Sequence, residues 1–317
     1  MNLAATNYFI LAVVLYYLIL FTMSLRRRGS SAHDGPTVLP FFVIFVPCRN
    51  EELVLDRTLS HLTALSYEGS YRVLVVNDAS IDATAHIADE WSRRSSSVRV
   101  VHRTADQGGK GKSDVLNHAY AALGRYVATG DSWLEGAPFG DIVVGIVDAD
   151  GELEKSCLDR VAPYFWDPTV GTTQIGVRIA NARQSLLARM QDMEFVAFTW
   201  LVQVARDWLG SSGLGGNGQF TRFTALRSLG DIPWTTDALT EDLELGLQLV
   251  EHGWRTRFCH ETYVDQQGLE HWRPLLRQRT RWIQGHYQCW RHLRRLARGQ
   301  GIPWATRVDL ITYLLLV

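Results

Sequence analysis

Asp148 and Asp150 flank a single alanine directly after the apolar run Ile142–Val147. Strand side chains two positions apart share a side, so both carboxylates would face one cleft. That is costly without a cation between them. Hard oxygen ligands in that number suit Mg²⁺ or Mn²⁺, with substrate phosphates completing the shell. Asp78 follows another apolar run, Tyr71–Val76, where an acidic side chain can accept hydrogen bonds from a base or ribose. It could equally cap the next helix, as could Ser80 or Asp82.

Three further segments carry chemistry of their own. Gln107–Ser113 is rich in Gly and Lys but lacks the P-loop spacing, which argues against an ATPase. Lys112 opens the following helix and can still approach a nucleotide. Thr240-Glu241-Asp242 precedes a leucine-rich helical stretch; it reads either as a capping segment or as the seat of a general base. Gln278, Arg281 and Trp282 stand at i, i+3 and i+4, one helical face. They offer an amide, a phosphate-matching fork and a flat apolar surface for a sugar ring.

The elements that would position these groups are legible as apolar runs. Phe41–Val46, Tyr71–Val76, Val98–Val101 and Ile142–Val147 read as buried strands. Helical stretches intervene at Leu53–Leu65, Ala83–Arg94 and Ser113–Leu123. Alternation of this kind predicts βαβ units and a mainly parallel sheet. Ligands of such sheets bind at the carboxyl ends of the strands. Pro47–Glu52, Asn77–Asp82 and Asp148–Gly151 all fall there. The Gly215–Arg222 segment adds a glycine-rich loop, where backbone can approach a ligand closely.

Composition narrows the rest. A net charge of -1 over 317 residues gives no sign of a nucleic-acid binder. Four scattered cysteines form no disulfide framework or zinc knuckle, and the ten histidines no metal motif. Leu3–Leu25 supplies the roughly 20 apolar residues that a spanning helix needs. Arg26, Arg27 and Arg28 follow it, the order of a retained anchor with its C-terminal side in the cytoplasm. Leu310–Val317 reads as the opening of a second spanning helix. The arginine- and tryptophan-rich segment around Trp272–Trp290 suits an amphipathic helix on a membrane.

Taken in order, Pro47–Glu51, Asp78, Gly111-Lys112 with Leu116-Asn117, Asp148-Ala149-Asp150, Thr240-Glu241-Asp242 and Gln278–Trp282 carry a resemblance. The chain resembles the membrane-embedded family 2 glycosyltransferases, the group of cellulose, hyaluronan and poly-N-acetylglucosamine synthases. The resemblance implies an α/β, Rossmann-like GT-A domain over residues 38–270 with flanking transmembrane helices: an anchor over 1–28, an interface helix region over 271–302, and a further spanning segment from 303 to 317. It implies a nucleotide-sugar donor, UDP-linked by expectation, and a saccharide or lipid-linked acceptor. Pro47, Arg49, Glu51, Asp78 and Lys112 would bind the nucleotide. Asp148 and Asp150 would hold the diphosphate and the Mg²⁺ or Mn²⁺. Asp242 would be the base of an inverting transfer, and Gln278, Arg281 and Trp282 would hold pyrophosphate and acceptor. The expected setting is the cell membrane, multi-pass, with a cytoplasmic catalytic domain and a growing polysaccharide as product. The alternatives are a single transfer to a lipid or lipid-linked acceptor, nucleotidyl transfer, and a non-catalytic scaffold.

Overall fold

The computed structural model describes residues 3–26, 28–29, 38–299 and 301–316. Arg27 of the basic knot and Val317 lie outside the described residues. The order is α1 (Leu3–Ser24), β1 (Phe41–Cys48), α2 (Leu55–Thr63), β2 (Tyr71–Asn77), α3 (Thr84–Arg94), β3 (Val98–His102), α4 (Lys112–Thr129) and β4 (Ile142–Ile146). Then come β5 (Glu152–Leu153), α5 (Cys157–Val161), β6 (Val170–Ile179), α6 (Leu186–Phe198), α7 (Val204–Leu209), β7 (Gln219–Arg222) and α8 (Phe223–Ser228). α9 (Glu241–Glu251), β8 (Arg255–Gln266), α10 (Trp272–Gln288), α11 (Leu293–Arg298) and α12 (Trp304–Leu316) complete it.

One eight-stranded sheet runs β3-β2-β1-β4-β7-β6-β8-β5. The first four strands are mutually parallel, as expected from the βαβ pattern. The other half is mixed: β7 is antiparallel to both β4 and β6, and β5 is antiparallel to β8. Six of the eight strands still run one way, in line with the mainly parallel expectation, and the two reversed ones have a positional consequence. An antiparallel neighbour starts where a parallel strand ends. The loop entering β7 therefore meets the loop leaving β4, and β6 and β8, parallel to each other, end on that same edge. Loops from both halves converge there.

Two apolar layers sandwich the sheet. Phe42, Ile44 and Val46 face α2 and α5 residues such as Leu59 and Leu158, while Val43 and Phe45 face Leu116 and Leu123 of α4 and the fully buried Trp234. Alternation along β1 thus feeds both cores, which is why its run reads as continuously apolar.

α1 is long and apolar enough to cross a membrane, and only 6% of its most apolar window is buried. That exposure is unlike a core helix. Its C-terminal part packs Leu20 against Val202 and Ala205. Tyr16 donates to Asp309 of α12 at 3.0 Å, and Asp309 accepts from Arg206 of α7 at 2.8 Å within the interior. α12 spans only 13 residues and turns Thr306, Asp309, Leu310 and Leu314 towards the domain.

α9 is fixed by charge as well as by leucines. His292 lies 3.0 Å from Glu244 and 2.8 Å from Glu251, and is almost fully buried. Burial alone would lower its pKa, but the two carboxylates outweigh burial and push it up to about 9. A raised imidazole contributes stability that is complete below its unfolded value of about 6.5 and is lost as pH passes its folded one. Thermal melts from pH 6 to 10 should therefore show a fall in Tm centred between about 7 and 9. His292→Gln, which cannot take up the proton, should flatten that slope; an unchanged slope would remove His292 as its source.

Candidate functional site

The convergent loops enclose an open cavity of about 640 Å³, lined by Pro47, Arg49, Glu51, Asp78, Lys112, Asp148, Asp150 and Gln267 among others. Seven of the residues expected from sequence to bind donor or metal meet here. The loops after β1 and β2 are laced by side-chain-to-backbone bonds: Asn50 N–H to Ser80 Oγ at 3.0 Å, Ile81 N–H to Asn50 Oδ1 at 3.0 Å, and Glu51 N–H to Thr84 Oγ1 at 2.7 Å. Asn50 and Ala79 carry positive φ values of 57° and 52°. Such backbone costs about 1–3 kcal/mol and persists only where the surroundings over-determine it, as this lacing does.

Asp78 is buried and does not face the cavity as a free acceptor. Arg103 pairs with it, Gly109 N–H donates to it at 3.0 Å, and Arg49 Nη1 lies at 3.5 Å. Arg103 also pairs with Asp114 and donates to the Gln107 carbonyl. Sequence reasoning passed over Arg103, although it follows β3 directly and so falls on the same productive edge. Gly109 (φ +76°) leaves room for that guanidinium neighbourhood, since a Cβ there would come within 2.3 Å of Arg49 Nη1.

Asp148 and Asp150 reach the cavity differently from the strand alternation expected. β4 ends at Ile146, and the two carboxylates sit in a turn closed by Gly151 N–H to Asp148 O at 2.8 Å. The turn still brings them to one side. Burial, then the charge of Asp148, raises the Asp150 pKa. Burial, then Asp150 and Asp148, likewise raises Glu51. Gln267 N–H donates to Asp150 Oδ2 at 3.2 Å and partly offsets this. A mutually repelling carboxylate pair suits a hard divalent cation that draws its other ligands from phosphates. Among the described residues no set of three or more His, Cys, Asp or Glu gathers at ligand spacing.

Lys112 stands at the centre. It opens α4, pairs with Asp148, donates to Gly216 O at 3.1 Å and lies 3.8 Å from Glu241. Burial would lower its pKa, but Asp148 and Glu241 together hold it above the usual lysine range. Glu241 and Asp242 open α9, whose Thr240 makes no side-chain cap bond. The capping reading is thus only partly met: Asp242 Oδ1 accepts from Leu243 N–H at 2.8 Å, while Glu244 turns away to His292. Burial, then the Glu241 charge, pushes the Asp242 carboxyl up to about 7. Gly216 (φ +75°) presses so close that a Cβ would stand 3.1 Å from Asp242 Oδ2 and 3.5 Å from Lys112 Nζ.

Gln278, Arg281 and Trp282 lie on α10, outside the lining of this cavity. Gln278 and Trp282 are half-buried and Arg281 is exposed. Trp282 packs edge-on to Phe195 of α6, and it is Arg279 that lies over its ring, 4.1 Å from the centroid, while pairing with Glu194 at 2.6 Å. α10 nevertheless abuts the Asp242 segment, because Gly285 leaves no space for a Cβ beside Thr240.

A family model described as glycosyltransferase-like family 2 matches residues 40–285, the stretch that builds the sheet, the cavity and most of α10. The chain belongs to glycosyltransferase family 2. Within it, this chain is 32% identical to beta-monoglucosyldiacylglycerol synthase of Synechocystis sp., over 92% of its own length and 59% of that protein. It is 30% identical to the probable glycosyltransferase YdaM of Bacillus subtilis, over 83% of its length and 59% of that protein. The chain thus spans about three-fifths of these two relatives. Among solved structures, the mannosyltransferase PcManGT from Pyrobaculum calidifontis, in complex with GDP-Man and Mn²⁺, superposes with a TM-score of 0.73 at 21% identity, covering 99% of this chain and 79% of that one. Staphylococcus aureus TarS 1-349 in complex with UDP-GlcNAc gives 0.57 at 16% identity, covering 86% and 71%. These likenesses show the fold, an α/β GT-A-like glycosyltransferase sheet.

Proposed function

We propose that this family 2 glycosyltransferase moves one sugar from a nucleotide-sugar to a lipid acceptor at a membrane face, inverting the anomeric carbon. The observation that carries the transfer is Lys112, which pairs with Asp148 in the cavity lining that also holds Asp150 and meets Asp242, itself outside that lining, across Gly216. The acceptor class is supported by the diacylglycerol-linked name of its relatives and by apolar surface on this chain. α1 exposes an apolar face, and Leu186, Met190 and Met193 of α6 and Trp272, Leu276 and Ile283 of α10 are exposed as well. Arg273, Arg277 and Arg281 accompany them on α10, a pairing that favours an anionic lipid surface. A polysaccharide product remains the second reading through the 24%-identical poly-beta-1,6-N-acetyl-D-glucosamine synthase of S. aureus. Membrane insertion of α1, and a multi-pass setting with a cytoplasmic domain, belong to this proposal.

In the reaction, Asp242 takes the proton of the acceptor hydroxyl as its oxygen forms a bond to the anomeric carbon. The carbon–phosphate-oxygen bond breaks with its electron pair passing to the diphosphate. Asp148 and Asp150 would hold a Mg²⁺ or Mn²⁺ ion, which when bound supplies positive charge to that diphosphate. Lys112 adds a cation from the protein itself, and Asp78, fixed by Arg103 and Gly109, orders the wall against which the nucleotide lies. By the family resemblance, Gln278, Arg281 and Trp282 of α10 would hold the pyrophosphate and the acceptor.

The full chain, reconstituted in vesicles with and without diacylglycerol, tests this with a panel of UDP- and GDP-hexoses. Nucleotide release that depends on diacylglycerol, with one sugar per lipid, is expected. Release of pyrophosphate in place of the nucleoside diphosphate, or a ladder of saccharide products without lipid, would overturn it.

A further inference from the structure

The two sides of the cavity are suspended from one helix. Gln203 is almost fully buried and grips Gly213 twice: its Nε2 donates to Gly213 O at 2.7 Å and its Oε1 accepts from Gly213 N–H at 3.0 Å. Gly213 begins the strap that carries Gly216 against Lys112 and Asp242. Gln191, also buried, grips Leu269 in the same way, donating to its carbonyl at 2.8 Å and accepting from its N–H at 3.1 Å. Leu269 stands two residues after Gln267, whose N–H binds Asp150. One amide therefore grips the base side and the other the diphosphate side, alongside Gln174 on Gly215 and Asn181 on Gly268.

Both glutamines belong to a single rod, α6 continued through a π-turn at Thr199–Gln203 into α7. At about 100° per residue, an uninterrupted α-helix would set Gln191 and Gln203 about 120° apart; the one extra residue of a π-turn reduces that to about 20°. The irregularity is what lets both amides face the site. The same rod lies against α1 through Phe198, Val202 and Ala205.

We propose that Gln191 and Gln203 are positioning residues, and that the α6–π–α7 rod sets the spacing between the base loop and the diphosphate loop. The inference rests on the glycosyl-transfer reading for its kinetic consequences, but its structural content does not. Hydrogen exchange and steady-state kinetics on the full chain separate the two. In Gln203→Met, exchange at amides 213–217 should rise about tenfold with amides 267–270 unchanged, and kcat should fall about tenfold with little change in donor KM. Gln191→Met should do the converse, loosening 267–270 and raising donor KM. If a Met variant fails to fold, the corresponding Glu variant, which keeps the accepting half of each grip, carries the same exchange readout at reduced size. Uniform loosening of the whole domain, or unchanged exchange at the gripped loop, would overturn the proposal. Selective loosening in the variants, with a parent that turns over no nucleotide-sugar, would uphold the clamps and sink the transfer reading instead.

Discussion

Asp242→Asn should lower turnover by about 10²–10⁴-fold while donor binding persists, if Asp242 is the base proposed above. The amide keeps the size and the hydrogen bond to Leu243 N–H but cannot take the acceptor proton. The carboxyl's setting sharpens the expectation. Burial, then the Glu241 charge, pushes the Asp242 carboxyl up to about 7, close to the pH at which a general base is effective. The parent's kcat/KM should therefore rise with pH through an acid limb near 7, because the protonated carboxyl is idle below it. Donor affinity by calorimetry and the pH profile of nucleotide release check both halves. An Asn variant that retains full turnover, or a parent whose activity grows as pH falls from 7 to 5, would take the base role from Asp242.

Arg103→Met should destabilise the fold by about 3–5 kcal/mol, the scale for stripping one partner from a buried ion network. Arg103 and Asp78 have side chains only 3% and 6% exposed, so water cannot replace the lost guanidinium. The substitution also strands Asp114 and the Gln107 carbonyl, and the loop from Thr104 to Gly111 loses its post. Urea midpoints should drop sharply, and nucleotide affinity should weaken with them. A single variant as stable as the parent would mean that solvent reaches this network after all.

The parallel half of the fold and its site were largely legible. β1 to β4 are continuous apolar runs, a local signal, and the edge rule then pointed to Arg49, Asp78, Asp148 and Asp150. Lys112 was placed by its position at a helix start. The mixed half was not legible, because β7 is only four residues long and β6 carries buried Thr172, Thr173 and Gln174, polar residues that mask a strand. Arg103 was missed because a lone arginine after a short strand looks like solvated surface. The glutamine grips were invisible for a more general reason. Gln191 and Leu269 are 78 positions apart, and an amide meeting a distant backbone leaves no periodic trace. The placement of α10 followed resemblance more than physics, and its Arg279 rather than Arg281 covers Trp282.

Whereas the Thr104–Gly111 loop hangs on the Arg103 ion network, the loops that frame the cavity on the mixed half of the sheet are fastened by neutral amides: Gln174 to Gly215 and Asn217, Asn181 to Gly268, Gln191 to Leu269 and Gln203 to Gly213. Unlike an ion pair, an amide neither gains nor loses a proton across the working range, and salt screens it little. The charges at the centre of this cavity can therefore be rearranged, by a proton on Asp242 or a diphosphate beside Lys112, without slackening the frame that holds them. On this half of the site chemistry and scaffolding run on separate kinds of bond, so a shift in acidity or ionic strength should alter the rate of this protein before it loosens these loops.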